Sequence, residues 1–263
     1  MTSHARPQHS FLSQNWAHAS RLLIRWRRDA TVAVGSLIFP ICLLLAYEVV
    51  LGDRVHEVTG VESVYGLVPI CAVLSALFGA FSTAVGIAWE RDSGLLSRMW
   101  VLPVHRASAL TGRLTAEALR ALIGTIVLTA LGVAMGLRFS HGWLSALVYV
   151  LVPVIVVVGF TSLVMALAIR SANQGIMTWL AAITVSLAFV NPGTTPIAMF
   201  PEWFRPFVQW QPMSPPIEAM RALAHGGPLL RPVAMTLMWV IVLLVVFIPI
   251  AVHGYRHAAE SNA

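Results

Sequence analysis

Residues 89–113 read WERDSGLLSRMWVLPVHRASALTGR, and this stretch carries most of the charge found between two long apolar runs. Glu90, Arg91 and Asp92 put three charges at the end of one run, and Asp92 or Ser93 then stands in position to cap a short helix opening near Leu95. That helix must stop before Pro103, because a residue preceding proline is pushed out of the α region. Within it Leu95, Leu96, Met99 and Trp100 fall on one face at three- and four-residue spacing, while Arg98 falls elsewhere. The expectation is a short amphipathic rod held beneath a membrane by the runs on either side, a shape that a soluble partner with a hydrophobic groove would grip.

Outward from this hairpin the chain is overwhelmingly apolar. Of its 263 residues 58% are hydrophobic and 11% charged, where a soluble domain has about 25% charged residues, so the sequence reads as an integral membrane protein. A run of about 20 apolar residues crosses a bilayer, and six candidates are present: 31–51, 65–89, 114–136, 144–169, 176–190 and 232–252. The expected fold is all-α, a polytopic membrane protein with six transmembrane helices. Crossing uses nearly the whole chain and leaves little for a soluble catalytic domain. All 17 basic residues are arginine, so no P-loop lysine exists and any nucleotide chemistry must come from another chain. Cys42 and Cys71 fall inside the first two spans, where they act as small apolar side chains rather than as a disulfide framework.

The net charge of +6 follows membrane topology rather than nucleic-acid binding. With the N-terminus inside, Arg6, Arg21, Arg25, Arg27, Arg28, Arg91, Arg98, Arg106, Arg113, Arg170 and Arg256 face the cytoplasm, against Arg54, Arg138, Arg205, Arg221 and Arg231 outside. Both termini are therefore expected in the cytoplasm. Residues 1–10 have no periodicity and are expected to form a flexible tail. Over 11–28, Leu12, Trp16, Ala19, Leu23 and Trp26 share one face and Arg21, Arg25 and Arg28 another, as in a helix lying on the cytoplasmic leaflet. The six-span domain then occupies 29–263.

Three further groups of polar residues stand out. Glu48, about a turn from the outer end of the first span, either snorkels to the interface or pairs with Arg205 or Arg221. Residues 52–64 read as a solvated outer loop. Arg113, Glu117 and Arg120 open the third span at spacings that allow an ion-paired ladder on one face, expected near the cytoplasmic boundary and snorkelling toward it. The segment 196–228, PIAMFPEWFRPFVQWQPMSPPIEAMRALAHGGP, is too apolar for a free loop and too broken by proline to span. Pro201 and Pro215 are placed to start two short helices, half-inserted at the outer headgroups, with Glu218 and Arg221 paired along the second.

Two stretches together resemble the membrane subunit of the ABC-2 type exporters. In that family the loop after the second span begins Glu-Arg-Glu, continues through Gly-Thr-Leu and reaches a proline. Glu90-Arg91-Asp92, Gly94-Leu95-Leu96 and Pro103 are similar to those positions, with Asp92 and Leu95 as departures. The family's outer segment resembles Phe200-Pro201-Glu202-Trp203 and Met220-Arg221-Ala222-Leu223, although Asn191-Pro192-Gly193 stands where a Ser-Gly pair is usual. Trp100-Val101-Leu102-Pro103 and Gly226-Gly227-Pro228 resemble the daunorubicin-resistance and mycobacterial lipid-export permeases most.

The resemblance implies a plasma-membrane permease, with no catalytic or metal site of its own, that pairs with a second permease protomer, the same chain or another. Two copies of a separate ATPase would bind the ATP and Mg. Glu90, Arg91, Asp92, Gly94, Leu95, Leu96, Arg98, Met99, Trp100 and Pro103 would form the coupling helix on which that ATPase pushes. Glu48, Arg205, Glu218 and Arg221 would belong to an outer gate. An apolar path would carry a lipophilic drug, a polyketide or a complex lipid, with membrane lipid as its surroundings. Two other classes compete. An intramembrane enzyme would need a polar constellation, and neither a Gly-x-Ser-x-Gly elbow nor a His-Glu-x-x-His pair is present. An ion-coupled secondary transporter would place acidic groups or broken helices at the midplane.

Overall fold

The computed structural model describes residues 11–28, 37–92, 106–140, 142–170 and 174–260, and within them the chain is helical without a strand. The helices are α1 (Phe11–Arg28), α2 (Phe39–Thr59), α3 (Val64–Asp92), α4 (Arg106–Ala134), α5 (Gly142–Arg170), α6 (Gln174–Phe189), α7 (Arg205–Trp210), α8 (Ser214–His225) and α9 (Leu230–Glu260). Four of their stretches, Val64–Glu90, Leu110–Ala134, Gly142–Arg170 and Leu230–Gly254, are long and apolar enough to cross a membrane. Shorter apolar stretches occupy Phe39–Val50 and Gly175–Phe189. Of the six expected crossings, four fall on the long helices, the first and fifth fall on the shorter apolar ones, and residues 29–36, in which the first expected span begins, lie outside the described residues.

Burial separates a central helix from a peripheral one. The apolar window of α3 is 83% buried inside the chain, whereas that of α9 is 11% buried. α3 packs against α2, α4, α5 and α8, and α5 against α3, α4, α8 and α9. Leu67, Val68, Ile70, Cys71, Tyr149, Val157 and Met165 meet in the core between them. The lipid-facing surface supplies the rest of the apolar environment, so Ile241, Val242 and Val245 of α9 stay exposed. Pro69, Pro153 and Pro249 sit within these helices, which a bundle tolerates because neighbouring groups re-satisfy the freed backbone.

Two expectations change. The 52–64 loop is largely helix, because α2 continues to Thr59 and ends only at Gly60, whose φ of 68° is left-handed. Arg54 and Glu57 pair across one turn at 3.8 Å on its exposed face, while Val55 turns inward. In the 196–228 segment α8 is enclosed by the chain: Pro215, Pro216, Ile217, Met220 and Leu223 are buried, and the helix packs on α3, α5 and α9. The shorter α7 is opened by Pro206 rather than Pro201, and exposes Phe207 and Trp210 beside Trp203.

Candidate functional site

α3 and α4 run on either side of the 89–113 hairpin and lie against each other, so polar residues that lead away from the hairpin on each helix meet along one seam. Glu90 stands at its hairpin end. Its carboxylate is 3% exposed and accepts hydrogen bonds from two guanidinium groups on two other helices, Arg113 of α4 and, at 3.4 Å, Arg21 of α1. One acidic group therefore ties three helices together where the hairpin leaves α3. α1 rests directly on α4: Asn15 Nδ2 donates to Thr115 Oγ1 at 3.2 Å, and a Cβ at Gly112 would lie 2.6 Å from His18 Cβ. Only glycine lets the two backbones approach that closely. Ala19 is buried in this contact, while Trp16 of the same expected apolar face is exposed.

The seam continues up the helices. Thr83 Oγ1 donates to Glu117 Oε1 at 2.8 Å, Arg120 Nε donates to Glu117 Oε2 at 2.7 Å, and Arg120 Nη2 donates to the Ala76 carbonyl at 3.0 Å. Of the expected ladder on α4, the Glu117–Arg120 step forms, while Arg113 pairs across to α3 instead. The expected snorkelling of these arginines is overturned. Arg113 and Arg120 are 5% and 4% exposed, enclosed between α3 and α4 rather than reaching out of the bundle. A buried arginine must be compensated, and the neighbouring helix supplies the acceptors. Thr83, Ala76 and Gly79, which the sequence reading passed over, are the α3 half of the seam, and their placement seven, fourteen and eleven residues before Glu90 on one helix face is the signal that was available.

Of the other hairpin residues, Arg91 and Asp92 complete α3, and Gly94, Leu95, Leu96, Arg98, Met99, Trp100 and Pro103 lie outside the described residues. The four residues expected at the outer gate do not converge. Glu48 accepts from Ser63 Oγ at 2.5 Å. Arg205 donates to the Phe200 and Ala198 carbonyls at 2.8 and 2.9 Å and reaches Glu202 only at 4.0 Å. Arg221 donates to the Pro192 carbonyl at 3.2 Å. The proposed pairing of Glu48 with either arginine is therefore absent among the described residues, because carbonyls left open by the proline-rich chain occupy both guanidinium groups. Glu218 is half-buried, and burial raises its pKa above the usual carboxylate value, opposed by Arg231 and then Arg221.

A polar knot at the end of α6 escaped the sequence reading. Asn191 donates to the Ala188 carbonyl and accepts from the Gly193 N–H at 2.8 Å, and Gln211 donates to the Val190 carbonyl and to Ser214 Oγ. A Cβ at Gly66 would lie 1.7 Å from the Gly193 carbonyl oxygen, so the break after α6 is seated directly on α3. Beside it a cleft of about 320 Å³ lies between Tyr47 and Val55 of α2, Phe189 of α6 and Met199. A smaller apolar cavity of about 50 Å³ lies between α5, α6 and α9, walled by Phe160, Leu187 and Trp239.

Comparison with known proteins gives the family of the chain. Residues 13–224 match the family model described as ABC-2 type transporter. The chain is 37% identical over 250 residues, 95% of its length and 90% of the relative's, to the probable doxorubicin resistance ABC transporter permease protein DrrC of Mycobacterium tuberculosis. It is 22% identical to the daunorubicin resistance ABC transporter permease protein DrrB1 of Streptomyces coeruleorubidus, covering 94% of this chain and 87% of that one. A putative transport permease, ycf38 of Pyropia yezoensis, is 23% identical over 82% of this chain and 75% of its own. By the match of the family model and by these relatives, the chain belongs to the ABC-2 type transporter family.

Proposed function

We propose that the chain is the transmembrane permease subunit of an ATP-driven exporter that moves a lipophilic drug, a polyketide or a complex lipid out across the plasma membrane. Six helices cross the bilayer, both termini are cytoplasmic, and two copies of a separate ATPase act on a pair of permease protomers. ABC-2 permeases work with an ABC ATPase subunit, and the hairpin after α3 is where this one would press. The observation that carries the reading is Glu90. A carboxylate buried at the mouth of the hairpin and held by Arg21 and Arg113 makes α1, α3 and α4 respond together to a push there.

The cargo class rests on the family; the apolar cavity between α5, α6 and α9 holds only about 50 Å³, and the larger cleft carries Arg54, Thr194 and Thr195 beside its apolar residues. The drug-resistance names of the relatives support the same class. Mild-detergent purification of the tagged chain from its native membrane, followed by mass spectrometry, tests the proposal. Recovery of an ATPase subunit is expected, and a second permease or bound lipid would identify the protomer partner and the cargo. A chain recovered alone would contradict it.

One observation favours an ion-coupled transporter: Glu117 and Arg120 are charged groups well inside the membrane stretch. Each already has its partner, which leaves neither open to a transported ion. Uptake into vesicles driven by a proton gradient without ATP would reverse that judgement.

A further inference from the structure

The upper part of the charge seam lies deeper than contact with a cytoplasmic ATPase requires. Ala76 and Gly79 stand fourteen and eleven residues before Glu90 on α3, so the Arg120 guanidinium crosses between the two helices well away from the hairpin. It lies flat on Gly79. A Cβ built there would be 1.5 Å from Arg120 Cζ and from Nη2, and 1.9 Å from Nη1. The guanidinium cannot simply swing aside, because it is buried and bound to Glu117 and to the Ala76 carbonyl, while Thr83 holds the other oxygen of Glu117. Separating α3 from α4 would leave Arg120 and Glu117 without their α3 partners in a medium of low dielectric, which is strongly unfavourable. Moving the two helices together breaks none of these bonds.

We propose that Arg120 is a positioning residue: with Gly79, Thr83 and Glu117 it locks α3 to α4 beyond the hairpin end, so that a displacement delivered at Glu90 carries both helices as one body. The lock rests on the ATPase-coupled reading above and adds to it the mechanical element that takes the push past the membrane surface. It also assigns a requirement for glycine at position 79 that neither the hairpin nor the cargo path explains.

The test uses the full chain with its copurified ATPase in lipid nanodiscs, spin-labelled at Val85 of α3 and Ile126 of α4, both exposed and outside the seam. Pulsed electron resonance measures the distance between the labels without nucleotide and after trapping with Mg-ATP and vanadate. The expected distance is the same in both states. In Gly79→Ala it should differ between states, and in sealed proteoliposomes of the same complex uptake of doxorubicin, used as the probe, per ATP hydrolysed should fall about tenfold, within the span of single coupling free energies. Arg120→Lys, which keeps the charge but cannot bridge Glu117 and Ala76 in the same geometry, should fall between the parent and Gly79→Ala.

A change of more than about 2 Å in the parent on trapping, the size of an ordinary interhelical shift, would overturn the lock without any substitution in the seam. So would a Gly79→Ala protein that keeps one distance and the parent's uptake per ATP. Failure of the parent complex to trap vanadate would instead remove the ATPase partnership, and the lock with it.

Discussion

At the hairpin end of α3, Glu90 takes guanidinium groups from α1 and α4, whereas at the far end Asn191 and Gln211 satisfy carbonyls within the broken chain after α6. The first arrangement joins three separate helices through paired charges. The second repairs one stretch of backbone with neutral amides and lets a glycine seat it on α3. Charge pairs between helices transmit displacement, because neither partner can be left behind in an apolar medium. Amide caps within a loop hold a local shape and have no leverage on a distant element. Under the proposed coupling the hairpin end would move as a unit while the opposite end stays folded.

Substitutions can break this contrast. The largest effect is expected for Glu90→Ala, which leaves Arg113 buried without its carboxylate and should destabilise the α1–α3–α4 junction by about 3 kcal/mol. Thermal unfolding in detergent should show it, together with faster proteolysis of α1. Gly66→Ala comes next. Its methyl group would meet the Gly193 carbonyl, a backbone atom that no rotamer change can move, and a loss of about 2 kcal/mol is expected. The damage should be confined to the break after α6 and the segment that follows it, read as faster hydrogen exchange there with α1 unaffected. Gln211→Leu should cost about 1 kcal/mol by leaving the Val190 carbonyl without its donor. A Gln211→Leu protein that lost ATPase coupling while its outer segment stayed protected would break the division between the two ends.

The smallest effect is that of acid on α1. His18 has its pKa lowered below the usual imidazole value by partial burial, then by Arg21 and Arg113, with Glu90 acting in the opposite direction. A depressed pKa means that docking is at full strength above the ordinary value near 6.5 and weakens as pH falls through it toward the docked value. Crosslinking of α1 to α4 through engineered cysteines should therefore drop modestly between neutral pH and acid. The same comparison in His18→Asn should be flat.

Much of this was legible in the sequence. Apolar runs and the positions of proline gave the helices, and the expected third-span ladder contained three of the residues that form the seam. What the sequence withheld was pairing between elements. Spacing along α4 puts Arg113 within reach of Glu117, but the geometry of two packed helices gives it to Glu90. Arg120 reads as a boundary residue free to reach outward when the span is counted along the sequence, and as an enclosed one once α3 is seen packed over it. Periodicity in α8 marks a helix but not its enclosure, because burial depends on α3, α5 and α9 closing around it. The pairing of Glu48 with Arg205 or Arg221 failed for the same kind of reason: backbone carbonyls compete for arginine, and no pattern of side chains along the sequence shows them.

The central claim is that Glu90 works through the arginine it holds, and a double-mutant cycle on ATP-dependent transport tests it most directly. Glu90→Gln, Arg113→Gln and the double variant would be reconstituted with the ATPase, and doxorubicin uptake per ATP hydrolysed compared with the parent. The expected result is a double variant no worse than the more impaired single one, since the pair is lost once. Losses that add would contradict the account, for they would mean that Glu90 and Arg113 serve transport separately.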